Sequence, residues 1–417
     1  MDPNACPSNS PFGELEPAAP FCIEITRVKV DQLGVEDDPR FSEEQREFAM
    51  SLARYARERL KPDYARWDSY EPFPQERIAE LANLGVMGLR VPVEYGGTGA
   101  PYVTVGLAAE MLTRGDFNAT YFVQLSAIAA DILTVAGGEV AKKWLPPLAA
   151  GEQTIALALT EPEAGSDAAN VSMRARPTPD GWVLAGEKSS ISFAGFADAC
   201  VTFARSGGPG AQGISAFLVP LNFPGVRRQV YKSPGGRLTQ RGSLFFDDVE
   251  IPHHYLLAAE GSGFVGAMKG FDFNRAVIAL ACTGAAQASI AETLVYTQTR
   301  RTFGKVLAEN QGISLKLAEH LALLAAARLV AYDVLERCDR GAAHTQQAAM
   351  AKWMSPKFAI EAIHTCLVIH GHYGYSNELP FEQRLRDVIG LEIGDGTPEI
   401  MKAIIAREAY GGSLRIF

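Results

Sequence analysis

The chain is short of the features that mark several protein classes. Its six cysteines, Cys6, Cys22, Cys200, Cys282, Cys338 and Cys366, form no CxxC pair and keep no metal-site spacing to histidine. That argues against zinc and for a reducing compartment. Basic blocks are missing too: 39 Lys+Arg against 48 Asp+Glu leave a formal charge of −9. Nucleic acid and anionic membranes need a concentrated positive field, so neither is an expected partner. The richest apolar run, Ala276 to Ser289, is short and Ala/Gly-rich against about 30 Å of hydrocarbon. The first twenty residues hold neither a basic nor an apolar signal region, and a cytoplasmic protein is the expectation. No GxxxxGK[ST], GxSxG or HExxH occurs, and the seven histidines make no ligand constellation. Gly261 to Gly266, GSGFVG, matches the dinucleotide fingerprint formally. A helical run follows it, no acidic residue stands near position 286, and it reads as a domain junction.

What is present divides the 417 residues into several cores. Residues 1 to 40 form a Pro-rich extension. Residues 41 to 154 carry helical periodicity, opening on Ser42 and Gln45 at capping-box spacing, with later helices closing at Gly or Pro. Residues 155 to 260 change to short β-type runs such as GWVLAGEKSSISF and GISAFLVPL. Residues 261 to 417 return to the helical period in four long segments, roughly 263–300, 312–339, 345–370 and 381–409, as an antiparallel bundle. The fold class is therefore α+β, mainly α: helical domain, β domain, helical bundle.

Three segments carry chemistry. Leu159 to Asp167, LTEPEAGSD, is a Gly-Ser loop whose hydroxyls and backbone N–H groups suit a flavin's polar edge or a pyrophosphate; a polar interdomain loop is the plainer reading. Asp395, in Ile393 to Ile400, IGDGTPEI, lies between two glycines just ahead of a helix capped by Thr397 and Pro398. It is a candidate base or an ordinary turn aspartate. Thr299 to Lys305, TRRTFGK, joins arginine and an aromatic ring, which suits a diphosphate at an interface or a solvated helix end.

Together with FDFNR, VIHGHYGY and FFDDVEIP in order, these segments resemble the acyl-CoA dehydrogenase family from about residue 42 onward. The resemblance implies FAD as cofactor and α,β-dehydrogenation of an acyl-CoA or acyl-carrier thioester, the α-proton going to a base and the β-hydride to the flavin. It implies electron-transfer flavoprotein as acceptor and a homotetramer. By the same resemblance Leu159, Thr160, Gly165, Ser166, Ser190, Ser192, Gln311, Val368, Gly371 and Thr397 belong to the cofactor site, and Arg300, Thr302 and Phe303 reach the FAD of a neighbouring subunit. Ser166, Asp272, Arg275 and Gly396 fall beside the substrate. Three residues depart from the pattern. The base is Asp395 where relatives have glutamate, Ser190 stands where many have a tryptophan, and His372 replaces a glycine. Asn274 occupies the place of an alternative glutamate and offers no base. The two shortened side chains imply a wider site, suited to a bulky, branched, cyclic or carrier-bound acyl group. A flavin monooxygenase and a non-catalytic partner subunit are the alternatives on the same fold.

Overall fold

The computed structural model describes residue 35, residues 38–68 and residues 73–413. The extension read over residues 1 to 40 lies outside the described residues except at these few positions.

The first helical layer holds α1 (Glu43–Tyr55), α2 (Tyr64–Trp67), α3 (Gln75–Asn83), α4 (Tyr102–Leu112), α5 (Thr120–Ala136) and α6 (Gly138–Ala149). Ser42 and Gln45 close a reciprocal capping box at the start of α1. Helix α6 does not stop at its prolines: Pro146 and Pro147 lie inside it. Buried Trp144, Leu145 and Leu148 hold that turn in place although proline removes backbone donors.

Seven strands follow: β1 (Ile155–Ala158), β2 (Arg174–Thr178), β3 (Gly181–Ile191), β4 (Ala199–Arg205), β5 (Ile214–Pro220), β6 (Val226–Val230) and β7 (Gly242–Pro252). They form one sheet in the order β1-β4-β2-β3-β7-β6, with β5 also paired to β4. The register of β3 against β7 shifts between Lys188 and Ile191, so Ser189 and Ser190 bulge out of the ladder. Ser190 sits there with φ +58°.

The last layer holds α7 (Gly263–Thr299), a small hairpin of β8 (Arg301–Thr302) and β9 (Lys305–Val306), then α8 (Gln311–Asp339), α9 (Thr345–Ile369), α10 (Phe381–Ile393) and α11 (Pro398–Ala409). The expected fourth helix, 381–409, is thus two helices. Gly394 leaves the helical region, Asp395 and Gly396 take positive φ, and Thr397 caps a new start. Helix α7 is the central post. A Cβ on Gly284 would meet the Glu110 carbonyl at 2.5 Å, so the small residues of that run bring α7 and α4 close together. Two helices, Phe117–Ala136 and Gly270–Thr299, are long and apolar enough to cross a membrane, contrary to the length argument from the sequence. Their apolar windows are 67% and 78% buried inside the fold, which accounts for that composition without a bilayer.

The three layers meet at polar contacts. Asp387 on α10 accepts from the Gly236 N–H of the β6–β7 loop at 2.7 Å and from Asn118 Nδ2 of the first layer at 3.1 Å. Asp68 binds both Arg386 and Arg237. Arg384 and Lys61 both bind Glu292 on α7.

Candidate active site

Asp395 occupies the four-residue joint between α10 and α11, partly buried, with φ +56°. Aspartate tolerates that left-handed conformation better than most residues. The joint is fastened from three sides. Lys352 of α9, almost completely buried, donates to the Glu392 carbonyl at 3.3 Å and to the Gly396 carbonyl at 3.1 Å. Burial pulls the Lys352 ammonium down to about 8, with the Asp395 charge acting against the fall. Arg275 Nε of α7 donates to the Asp395 carbonyl at 3.3 Å. Asn274 Nδ2 donates to Asp395 Oδ2. The N-terminus of α11 lies behind, favouring negative charge at this end.

Asp272 and Arg275 pair with each other at 2.7 Å, and Thr345 donates to Asp272 at 2.7 Å. Both charged residues are 8% exposed. They brace the joint from α7. Gly396 belongs to the same cluster: its φ is +110°, and a Cβ there would meet Met401 Cε at 2.3 Å.

A second cluster lies on the β domain. The Thr160 carbonyl accepts from Ser189 N–H at 2.9 Å, which sets the end of β1 against the bulge that carries Ser190. Below it Lys188, fully buried, donates to the Leu159 carbonyl at 2.9 Å and to Glu161 Oε1 at 2.7 Å. Glu161 also accepts from Ser172 and Met173 N–H groups. Burial works to raise the Glu161 carboxyl, but the Lys188 ammonium and these N–H groups outweigh it and hold it below the usual range. Burial pulls the Lys188 ammonium down to about 8, with the Glu161 charge acting against the fall, and the pair lies beneath the Leu159–Thr160 turn. Ser192 Oγ accepts from Arg241 at 3.4 Å, and Arg241 also donates to the Tyr121 hydroxyl at 3.1 Å. Gly165 and Ser166 stay exposed on the loop.

Ser190, exposed on the bulge, is held through both its backbone and its hydroxyl. Tyr231, just past β6, places its hydroxyl on the Ser190 backbone N–H and donates to Ser190 Oγ at 3.2 Å. The hydroxyl of a residue beyond the end of β6 thus closes on the bulge.

The remaining residues are displayed outward. Arg300, Gln311 and Gly371 are exposed, Val368 is 58% exposed, and Phe303 is 98% exposed at the hairpin tip with φ +50°. Thr302 pairs with Lys305 in that hairpin. Thr397 accepts the Ile400 N–H as a cap, and its hydroxyl proton is left to donate. Sequence reading missed Lys352, Lys188, Asn274 as a partner of the base, and Tyr231. Only the two lysines left a trace: each interrupts an otherwise periodic apolar pattern, in AAMAKWM and in the strand ending EKSSI.

The donor set suits FAD. The Thr160 hydroxyl makes no hydrogen bond among the described residues, Ser192 makes a single long one, and Arg241 Nε is buried without a partner. Such hydroxyls and N–H groups match the polar edge of a flavin ring, and exposed Arg300 and Gln311 match a diphosphate and its flanking groups.

The described architecture coincides with known families along nearly its full length. The acyl-CoA dehydrogenase N-terminal, middle and C-terminal domains match residues 42–152, 156–249 and 261–410. An acyl-CoA dehydrogenase of Bacillus subtilis (strain 168) is 35% identical over 86% of this chain and 96% of its own. The solved butyryl-CoA dehydrogenase of Megasphaera elsdenii superposes with a TM-score of 0.85 at 30% identity, covering 89% of this chain and 99% of that one. A glutaryl-CoA dehydrogenase of Mycobacterium smegmatis, solved with FADH2, gives 0.85 at 28% identity over 91% and 98%.

Proposed function

The chain belongs to the acyl-CoA dehydrogenase family, FAD-dependent oxidoreductases acting on CH–CH groups, and we propose that it dehydrogenates a branched or cyclic acyl thioester with Asp395 as the base. The observation that carries this reading is the joint between α10 and α11. It presents a half-buried carboxylate with one oxygen held by Asn274 and the other without a partner among the described residues.

An α-proton of a thioester is weakly acidic, so its removal needs a base that is close and aligned. The free oxygen of Asp395 takes that proton. Lys352 and Arg275 keep the backbone beneath it from moving when the substrate arrives. Thr160 and Ser192 would hold the polar edge of the cofactor, and the Lys188–Glu161 pair fixes the turn from which Thr160 projects. Bound FAD supplies the acceptor for the β-hydride. The exposed hairpin with Arg300 and Phe303 fits the resemblance's neighbouring-subunit role, in a homotetramer that hands its electrons to electron-transfer flavoprotein.

Aspartate withdraws the carboxylate by about one bond length compared with glutamate, and a misplacement of about 1 Å costs on the order of a hundredfold in rate. A substrate with a branch or ring near the α-carbon fills the space so created, whereas a straight chain leaves it empty. Anaerobic titration of the flavin with straight, branched and cyclic acyl-CoA thioesters tests this, with Asp395→Asn as control. Bleaching by branched or cyclic thioesters that is lost in Asp395→Asn is expected. Full-rate bleaching by straight chains with the others inert would remove the substrate assignment, and unimpaired Asp395→Asn would remove the base.

A further inference from the structure

Asn274 stands on α7 and Asp395 in the α10–α11 joint, 121 residues apart, yet their side chains meet. Asn274 is 3% exposed. Its amide nitrogen faces Asp395 Oδ2, the arrangement a carboxylate demands, because the amide oxygen would meet it with like partial charge. Asn274 Oδ1 is buried and has no partner, so nothing else turns the carboxamide toward this position. A buried polar group with half its capacity unmet costs stability, and its only contact of consequence is the base.

We propose that Asn274 is the positioning residue of this base, resting on the dehydrogenase reading above. A short carboxylate in left-handed backbone has few rotamers that reach a substrate, and rotation exchanges its two oxygens. The amide N–H ties one oxygen down and so commits the other to the proton. Lys352 and Arg275 fix only the backbone of the joint, as both donate to carbonyl oxygens. Asn274 alone among the described residues hydrogen-bonds the carboxylate itself. The residue that cannot act as a base at this position thus orients the one that can.

The test uses the holoenzyme and two variants. Asn274→Ala removes the donor and volume, whereas Asn274→Leu keeps the approximate size and removes the amide without adding a charge or a second base, which separates orientation from packing. Each is expected to lower kcat by about ten- to a hundredfold with KM changed by less than about threefold. Exchange of the thioester α-hydrogen in D2O, followed by mass spectrometry, reads proton abstraction without electron transfer and should fall by the same factor. In an Asp395→Asn background the further change Asn274→Ala should cost less than about twofold, because the residue it acts through is already gone. A parent-like kcat in Asn274→Leu, or an equal loss with and without Asp395, overturns the proposal. If the parent protein itself neither exchanges the α-hydrogen nor bleaches with any thioester, the dehydrogenase reading fails first and this inference with it.

Discussion

Ser190 is fixed by a residue from further along the chain. The bulge pushes its backbone outward, and the Tyr231 hydroxyl satisfies the exposed N–H. Tyr231→Phe removes that oxygen at an exposed position and should shift stability by less than about 1 kcal/mol. Tyr231→Ala removes the ring and should lower KM for the bulkiest thioesters; an unchanged KM across a size series would show that the ring does not bound the acyl site. At Asp395 the opposite change is informative. Asp395→Glu restores the missing methylene and should favour straight-chain over branched thioesters, read as the ratio of their kcat/KM values. An unaltered ratio would mean that the base length does not set the choice.

Among the elements, the Leu159–Thr160 turn depends on a charge pair that water hardly reaches. Glu161→Gln would leave the Lys188 ammonium buried without its counter-charge, a loss of about 3 to 5 kcal/mol, measurable by urea unfolding of the variant. A change below about 1 kcal/mol would mean that Lys188 sheds its proton at little cost. The sequence disclosed the parts of this region whose signals are local. LTEPEAGSD marked the turn, Ser42 with Gln45 marked the start of α1, and Thr397 with Pro398 marked the start of α11. It concealed what is made at a distance. Nothing in the neighbourhood of Lys352 points to a carbonyl 44 residues on, and Asn274 looks like a polar residue on a helix until the fold brings Asp395 to it. Edge strand β6, with the sequence VRRQV, was hidden because its exposed arginines break the apolar pattern that identified the inner strands. The break at 394–397 was half legible: two glycines were plain, but the helical period on either side suggested one helix.

At the scale of the whole molecule, Asp387 joins all three layers and is expected to make their union depend on pH. Burial pushes its carboxyl up to about 8, with the nearby Asp116 and Asp68 charges adding to the rise and the Gly236 N–H and Arg386 opposing it. The folded state then holds a proton that the unfolded chain releases near pH 4, so stability from this group is lost as pH climbs toward and through 8. Asp387→Asn should flatten that slope between about pH 5 and 9, seen as urea midpoints that no longer fall with pH. A parent slope retained in the variant would assign the proton elsewhere, with Asp116 the neighbour to examine, since its carboxyl is raised to about 6 by burial. The domain order was legible from the change of period at about 155 and 261, but these junction contacts were not, because each draws one residue from a different part of the chain.

Phe303 stands almost wholly in water at the tip of a tight hairpin, far along the chain from the turn that would cradle the cofactor. The proposed neighbouring-subunit role of Phe303 would share each catalytic site between two copies, and a mixture of variants tests it. One chain spoiled by Asp395→Asn still offers an intact Phe303, and another spoiled by Phe303→Asp still owns an intact base. Neither should turn over alone, yet co-expressed they should recover part of the activity, as two defective alleles complement each other when their product assembles.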